Sequence, residues 1–181
     1  MHTVINLSAP RRQAHQSAEP ATGMHARVAE FADIAEERHG LTVDPIEFPE
    51  KGTPTAADAA EAVDCPIGAI VNSLVFDADG PVLCLTSGAE RVDEAALAEW
   101  AGVGADDVSM ASPDQVREAT GWAIGGVPPL CHETDLPTLL DPALLAFETV
   151  WAAAGTPTSM WEVEPERLRE LADAAVVEFT A

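Results

Sequence analysis

Gly121-Trp122-Ala123-Ile124-Gly125-Gly126-Val127-Pro128-Pro129-Leu130-Cys131-His132 is the stretch on which the reading of this chain turns. Glycine tolerates positive φ and exposes its backbone N–H, whereas proline fixes φ and removes a donor. Two glycines followed by two prolines make a loop with open amides and little freedom. Such a loop can hold a carbonyl or an oxyanion against main-chain donors. Taken alone, the same residues also describe an ordinary surface turn.

Working outward, Ser112-Pro113-Asp114-Gln115 is a capping box with proline at the first helical position. It predicts a helix that stops at Gly121. Downstream, Leu136–Leu140, Phe147–Ala152 and Thr158–Val163 read as strands. Pro165 opens a last helix through Ala172, and Ala175–Phe179 closes as a strand. Upstream, Asp93 caps a helix through Trp100, and the strands Ile67–Phe76 and Pro81–Thr86 flank the hairpin signal Asp77-Ala78-Asp79-Gly80. Thr55-Ala56-Ala57-Asp58 starts a short helix ending near Val63. Val28, Phe31, Ile34 and Ala35 recur at helical spacing before Gly40, and Leu41–Phe48 reads as a strand held to a sheet edge by Pro45.

Helices and strands mix irregularly, with at least one hairpin. That predicts an α+β or mixed α/β fold rather than a doubly wound parallel sheet. The 181 residues suit one compact domain over residues 24–181, after a tail over residues 1–23 that lacks periodicity and reads as flexible. Met24 is a candidate translation start.

The net charge is -22, from 31 acidic and 9 basic residues, and Lys51 is the one lysine. A mean hydropathy of +0.05 with periodic apolar residues argues against a disordered acidic chain. The charge predicts a solvated acidic surface suited to strong salt, where a Debye length of ~3 Å screens self-repulsion. It gives no basic stripe for a nucleic-acid groove, so DNA is not an expected partner. No run approaches the ~18 apolar residues of a membrane span, and no apolar segment follows Arg11-Arg12 to make a secretory signal. Cys65, Cys84 and Cys131 are an odd, widely spaced set, which predicts reduced thiols in a cytoplasmic protein. No CxxC or HExxH occurs, so no metal site is expected. GxGxxG, the P-loop lysine and the Gly-x-Ser-x-Gly elbow are also missing.

Several segments in order carry a resemblance. They are Thr53-Pro54-Thr55-Ala56-Ala57-Asp58-Ala59-Ala60, Ile70-Val71-Asn72-Ser73-Leu74-Val75-Phe76 and Ser87-Gly88-Ala89-Glu90-Arg91-Val92-Asp93. Thr120-Gly121 through Gly125-Gly126-Val127-Pro128-Pro129, then His132 and Leu140-Asp141, complete the series. Together they resemble the YbaK/EbsC family of aminoacyl-tRNA deacylases, related to the editing domain of bacterial prolyl-tRNA synthetase. The resemblance spans roughly residues 27–179 and implies a curved mixed sheet with helices around it. It implies hydrolysis of the ester joining a wrong small amino acid, such as alanine or cysteine, to the 3′-terminal adenosine of tRNA. No metal or organic cofactor is implied. The implied partners are the aminoacyl-tRNA 3′ end and, in one mode, an aminoacyl-tRNA synthetase.

The family's strand motif usually reads Val-Lys-Ser/Thr-Leu, and its lysine contacts the terminal adenosine. Asn72 stands at that position and supplies a hydrogen bond without charge. Leu130 and Cys131 replace the family's common Phe-Gly. The resemblance makes Gly125, Gly126, Val127 and Asn72 the catalytic candidates. Ser73, Pro128, His132, Thr55 and Asp141 are the substrate-binding candidates.

Each has a structural alternative. The loop glycines also suit a plain turn, and His132 also suits a bond to a neighbouring carbonyl. Thr55 and Asp141 are also helix caps, and Arg91 also suits a surface ion pair. Asn72 and Ser73, adjacent on a strand, point to opposite faces, so only one is expected to face a pocket. Cys131 and His132 are neighbours with no third orienting group, which argues against a Cys–His nucleophile. The resulting reading is a trans-acting deacylase in which water attacks the ester. The alternatives are a non-catalytic module that binds the tRNA 3′ end or a synthetase, and a small-ester hydrolase that does not act on tRNA.

The acidic surface generates the first prediction. The thermal midpoint should rise between low salt and molar KCl as repulsion is screened. A midpoint insensitive to salt would contradict the strong-salt reading.

Overall fold

The computed structural model describes residues 24–48 and 55–181. The tail expected over 1–23 and the Thr53-Pro54 start of the first motif lie outside the described residues. Helix α1 (Ala26–His39) begins where the His25 side chain accepts the Arg27 N–H, and it ends at Gly40 with φ 60°. Strand β1 (Ile46–Glu47) and helix α2 (Ala56–Val63) follow. Strands β2 (Ile70–Ala78) and β3 (Pro81–Ser87) form the expected hairpin. Its turn residues Asp79 and Gly80 both have positive φ, the condition for a primed hairpin turn.

Helix α3 (Glu94–Ala101) is capped by Asp93, whose carboxylate accepts from Ala95 and Ala96 N–H. Strand β4 (Val108–Met110) leads into helix α4 (Pro113–Thr120), which has the full Ser112/Gln115 capping box and ends at Gly121. Strands β5 (Thr138–Leu140), β6 (Val150–Ala153) and β7 (Ser159–Val163) come next. Helix α5 (Pro165–Leu171) and strand β8 (Ala175–Val176) close the chain.

The strands form one mixed sheet in the order β1-β7-β6-β2-β3-β5-β8, with β4 joined to β2 off that path. β2 runs parallel to β6, as β3 does to β5 and β5 to β8; the other pairs are antiparallel. The result is a single compact α/β domain on a curved mixed sheet. On one face Val71 and Val75 of β2 pack with Phe31, Trp122 and Trp161; on the other Phe76 and Ala78 pack with Leu97 and Phe179. No helix among the described residues is long and apolar enough to cross a membrane.

Several expected strands are shorter than their apolar runs, and most of the losses have a local cause. Of Leu41–Phe48 only Ile46–Glu47 pairs, after Pro45, and β1 does lie at the sheet edge. The run from Ile67 begins as a 3-10 turn, Ile67–Ala69, following Pro66. Pro137 has no N–H to donate, and β5 starts one residue later. A 3-10 turn over Pro142–Ala146 precedes Phe147, so β6 begins only at Val150. β8 stops at Val176 rather than Phe179. β4 was not expected at all: Val108-Ser109-Met110 is short and shows only one buried residue.

The decisive loop is anchored from below by Trp122. Its ring is buried, meets Phe31 edge-on at 6.3 Å, and carries the Arg27 guanidinium 4.0 Å above it. Arg27 also donates to Gly121 O, and Trp122 Nε1 donates to Cys131 O at 2.9 Å. The indole thus ties the two ends of the loop together. Trp122→Phe removes that bond and leaves a buried carbonyl unpaired. It should destabilise the fold by about 1–3 kcal/mol in denaturant unfolding, and an unchanged midpoint would show that the indole N–H is not holding the loop.

Candidate functional site

β2 has a complete neighbour on one edge only. β3 pairs along Val71–Asp77. On the other edge β6 pairs with Ile70 and Val71, and β4 pairs with Phe76, Asp77 and Ala78. Between those ladders the strand has no strand partner, and a cavity of about 340 Å³ opens there. This volume suits a small-ligand site.

The cavity has four walls. The residues of β2 from Ile70 to Val75 form one, and Ile124, Gly125 and Val127 of the glycine loop form another. Thr156, Pro157 and Ser159 bring in the β6–β7 turn, while Thr55, Ala56 and Ala59 bring in α2. Met110 and Ile124 stand at the cavity with exposed side chains. No ionisable side chain lines it among the described residues. Nor do those residues contain a cluster of His, Cys, Asp or Glu fit to hold a metal ion.

Asn72 and Ser73 both line the cavity as residues, while the Ser73 hydroxyl is itself buried. Asn72 sits opposite Thr86, whose buried hydroxyl has no hydrogen-bond partner. The Ser73 hydroxyl is likewise buried without a partner. Thr55 lines the cavity while capping α2, its hydroxyl accepting the Asp58 N–H at 3.1 Å.

Within the loop the three proposed donors differ. Gly125 has φ 85° and lines the cavity, as does Val127. Gly126 is not among the lining residues, and its N–H is spent on Ala123 O at 3.0 Å. A Cβ there would lie 2.7 Å from Thr156 Cα, so Gly126 is glycine because the loop backbone rests on the β6–β7 turn. It is a packing residue rather than the carbonyl donor expected.

Three more expected residues lie outside the cavity lining. Pro128 is buried and offers its carbonyl to His132 Nε2 at 2.7 Å. Burial lowers the His132 pKa, opposed by the Pro128 hydrogen bond and assisted by the Arg38 charge. A neutral ring donating to Pro128 O fits that balance, the carbonyl bond that the sequence offered as the alternative for His132. Asp141 is buried, with one carboxylate oxygen accepting Ser87 N–H at 3.1 Å and the other Ala143 N–H at 2.9 Å. Both oxygens are engaged by the fold, the capping role that the sequence also offered for Asp141.

Cys131 is buried with its thiol pushed up to about 12 by desolvation, which removes it as a nucleophile. Its φ is 68°, the left-handed region, at the position where the resembled family commonly has glycine.

The β6–β7 turn is the part of the site that sequence reading missed. Thr156 Oγ1 donates to Ser159 Oγ at 2.8 Å, and Ser159 Oγ donates to Thr156 O at 3.2 Å. These hydroxyls satisfy each other and fix the wall. The signal was present in Gly155-Thr156-Pro157-Thr158-Ser159, a turn composition between two strands.

The fold of this mixed sheet is shared with solved structures. A crystal structure described as a candidate trans-editing enzyme for prolyl-tRNA synthetase is 38% identical, with a TM-score of 0.81, covering 87% of this chain and 99% of that one. The uncharacterized protein YwhH of Bacillus subtilis (strain 168) is 33% identical over 135 residues, covering 74% of this chain and 83% of that protein. The proline–tRNA ligase of Oleidesulfovibrio alaskensis is 34% identical over 89 residues, which are 49% of this chain and 15% of the ligase. The family model for the aminoacyl-tRNA editing domain matches residues 50–171. The chain belongs to this family, the YbaK/EbsC tRNA-editing domains.

The His132 arrangement generates a pH prediction. Its folded pKa lies below the unfolded value of about 6.5, so below that pH the unfolded state binds more protons and stability falls with falling pH. Above about 6.5 this contribution is fully present. His132→Gln should therefore flatten the loss of stability between pH 7 and pH 5 relative to the unmodified protein. Parallel unfolding profiles for the two would contradict the neutral buried ring.

Proposed function

We propose that this protein hydrolyses the ester of a mischarged small amino acid on the 3′ end of tRNA. The observation that supports the reading is the uncharged cavity at the break in the sheet, in a chain of the tRNA-editing family. Its polar groups are main-chain N–H and C=O, hydroxyls and the Asn72 amide. Main-chain donors are preorganised and need no charge to stabilise an oxyanion. The ester carbonyl lies between the β2 edge and the Gly125–Val127 wall, and water attacks it. With no titratable side chain lining the cavity among the described residues, the ribose 2′-hydroxyl of the substrate is the group that assists proton transfer. Pocket size selects among amino acids, at ~1–3 kcal/mol per methylene.

The acidic surface bears on how tRNA is approached. A charge of -22 repels a phosphate backbone, so strong salt or a synthetase partner brings the 3′ end to the cleft. Asn72 favours one second reading, a module that holds the 3′ end without turning it over. Neutral hydrogen bonds are roughly half as strong as charge-assisted ones.

One assay separates the two. In molar KCl the protein should deacylate at least one tRNA carrying a small mischarged amino acid faster than buffer. Asn72→Lys should raise 3′-end affinity or rate by about one to two decades, with the larger gain at low salt. Folded protein that gives only the buffer rate on every such tRNA would exclude the enzyme, and 3′-end binding without turnover would favour the module.

A further inference from the structure

The break beside β2 leaves particular atoms exposed to the cavity. In an antiparallel ladder the main-chain groups of successive residues point alternately to the two edges. Ile70 O accepts Gly88 N–H on the β3 side, whereas Val75 O accepts Ala111 N–H on the opposite side. Alternation therefore turns the N–H and C=O of Ser73 away from β3 and toward the cavity. Ser73 belongs to neither the β6 ladder, which ends at Val71, nor the β4 ladder, which starts at Phe76. A strand residue whose two groups have no main-chain partner among the described residues, in a lined cavity, is a place for one more residue of strand.

An aminoacyl ester has the matching pattern. Its α-ammonium donates and its acyl carbonyl accepts, on either side of a single Cα. We propose that the aminoacyl group of the substrate docks on Ser73 as a one-residue antiparallel β-bridge, filling the gap between β6 and β4. The Ser73 N–H donates to the ester carbonyl, and the α-ammonium donates to Ser73 C=O. This rests on the deacylase reading and deepens it, because the rigid strand then supplies the carbonyl donor that Gly126 does not.

Two selectivities follow from the bridge. The ammonium becomes a recognised group, so an acyl group without it loses one of two bonds. Directly opposed residues of an antiparallel pair carry their side chains on the same face. An L-amino acid thus places its side chain beside that of Ser73, whose hydroxyl is buried and unpartnered, on the face of Val71, Val75 and Val127. A D-amino acid would send its side chain to the Asn72 face.

The test uses a non-hydrolysable probe, adenosine with L-alanine joined through a 3′-amide, titrated into the folded protein and followed by backbone NMR. The Ser73 amide proton should move downfield on binding. The propanoyl probe, which has no donor on its Cα, should bind roughly ten- to hundredfold more weakly, as expected for loss of a charge-assisted hydrogen bond, and the D-alanyl probe should also be weaker. Replacing Ser73 by its α-hydroxy counterpart removes the N–H, which no ladder uses, and weakens the Asn72 carbonyl on the β3 side; in the folded variant binding should weaken by a similar factor. Absence of binding, an unmoved Ser73 amide, or equal affinity for the amino and propanoyl probes would overturn the bridge. Formation of the bridge on the amide probe, with no turnover of the corresponding ester, would remove the deacylase reading and leave the bridge standing.

Discussion

The edge of β2 is the constraint from which the site follows. One strand of nine residues cannot be covered by two short strands that approach it from opposite ends and in opposite directions. β6 arrives parallel and β4 antiparallel, and both stop short of Ser73. Everything around the break serves to hold it open. The glycine loop is pinned by Trp122 beneath it, by His132 on Pro128 O, and by the contact of Gly126 with Thr156. The β6–β7 turn opposite is locked by its own hydroxyls. An opening in a sheet normally leaves backbone groups unpaired, which is costly when they are buried. A binding cleft is the setting in which that cost has a return.

The electrostatics of the cleft follow the same logic. In a chain of charge -22, none of the described residues lining the cavity is ionisable, and its polar groups are hydroxyls, the Asn72 amide and the main chain. Asn72, where the resembled family has lysine, belongs to that pattern. The few arginines with defined partners brace the fold: Arg27 stacks on Trp122, and Arg38 donates to His132 O at 2.8 Å. The acidic surface and the neutral site are therefore separate features, one addressing the solvent and the other a ligand.

Much of the fold was legible because caps and turns are local. Gly40, Thr55, Asp93, the Ser112/Gln115 box and Asp79-Gly80 are read from neighbouring residues and sit where expected. Family membership was legible in the ordered motifs. What was not legible depends on long-range pairing. β4 has almost no pattern of its own and exists because β2 offers an edge. The turn at Thr156 enters the site only because β6 and β7 return to the same strand. Gly126, Pro128, His132 and Asp141 are candidates by their motif, with a turn, a carbonyl bond and a helix cap as the alternatives, and the partners they have in the fold are other parts of this chain. A motif shows that a residue matters to a site; whether it touches the ligand or supports what does is decided by packing.

Amide hydrogen exchange resolved at Asn72, Ser73 and Leu74 tests the central claim without a ligand. Asn72 and Leu74 turn their N–H groups to β3, in the pairs with Thr86 and Cys84, whereas Ser73 turns its N–H to the break. The account predicts slow exchange at Asn72 and Leu74 and markedly faster exchange at Ser73 between them. Protection at Ser73 equal to that of its two neighbours would mean that the edge is paired, and that the cleft is not the open strand described.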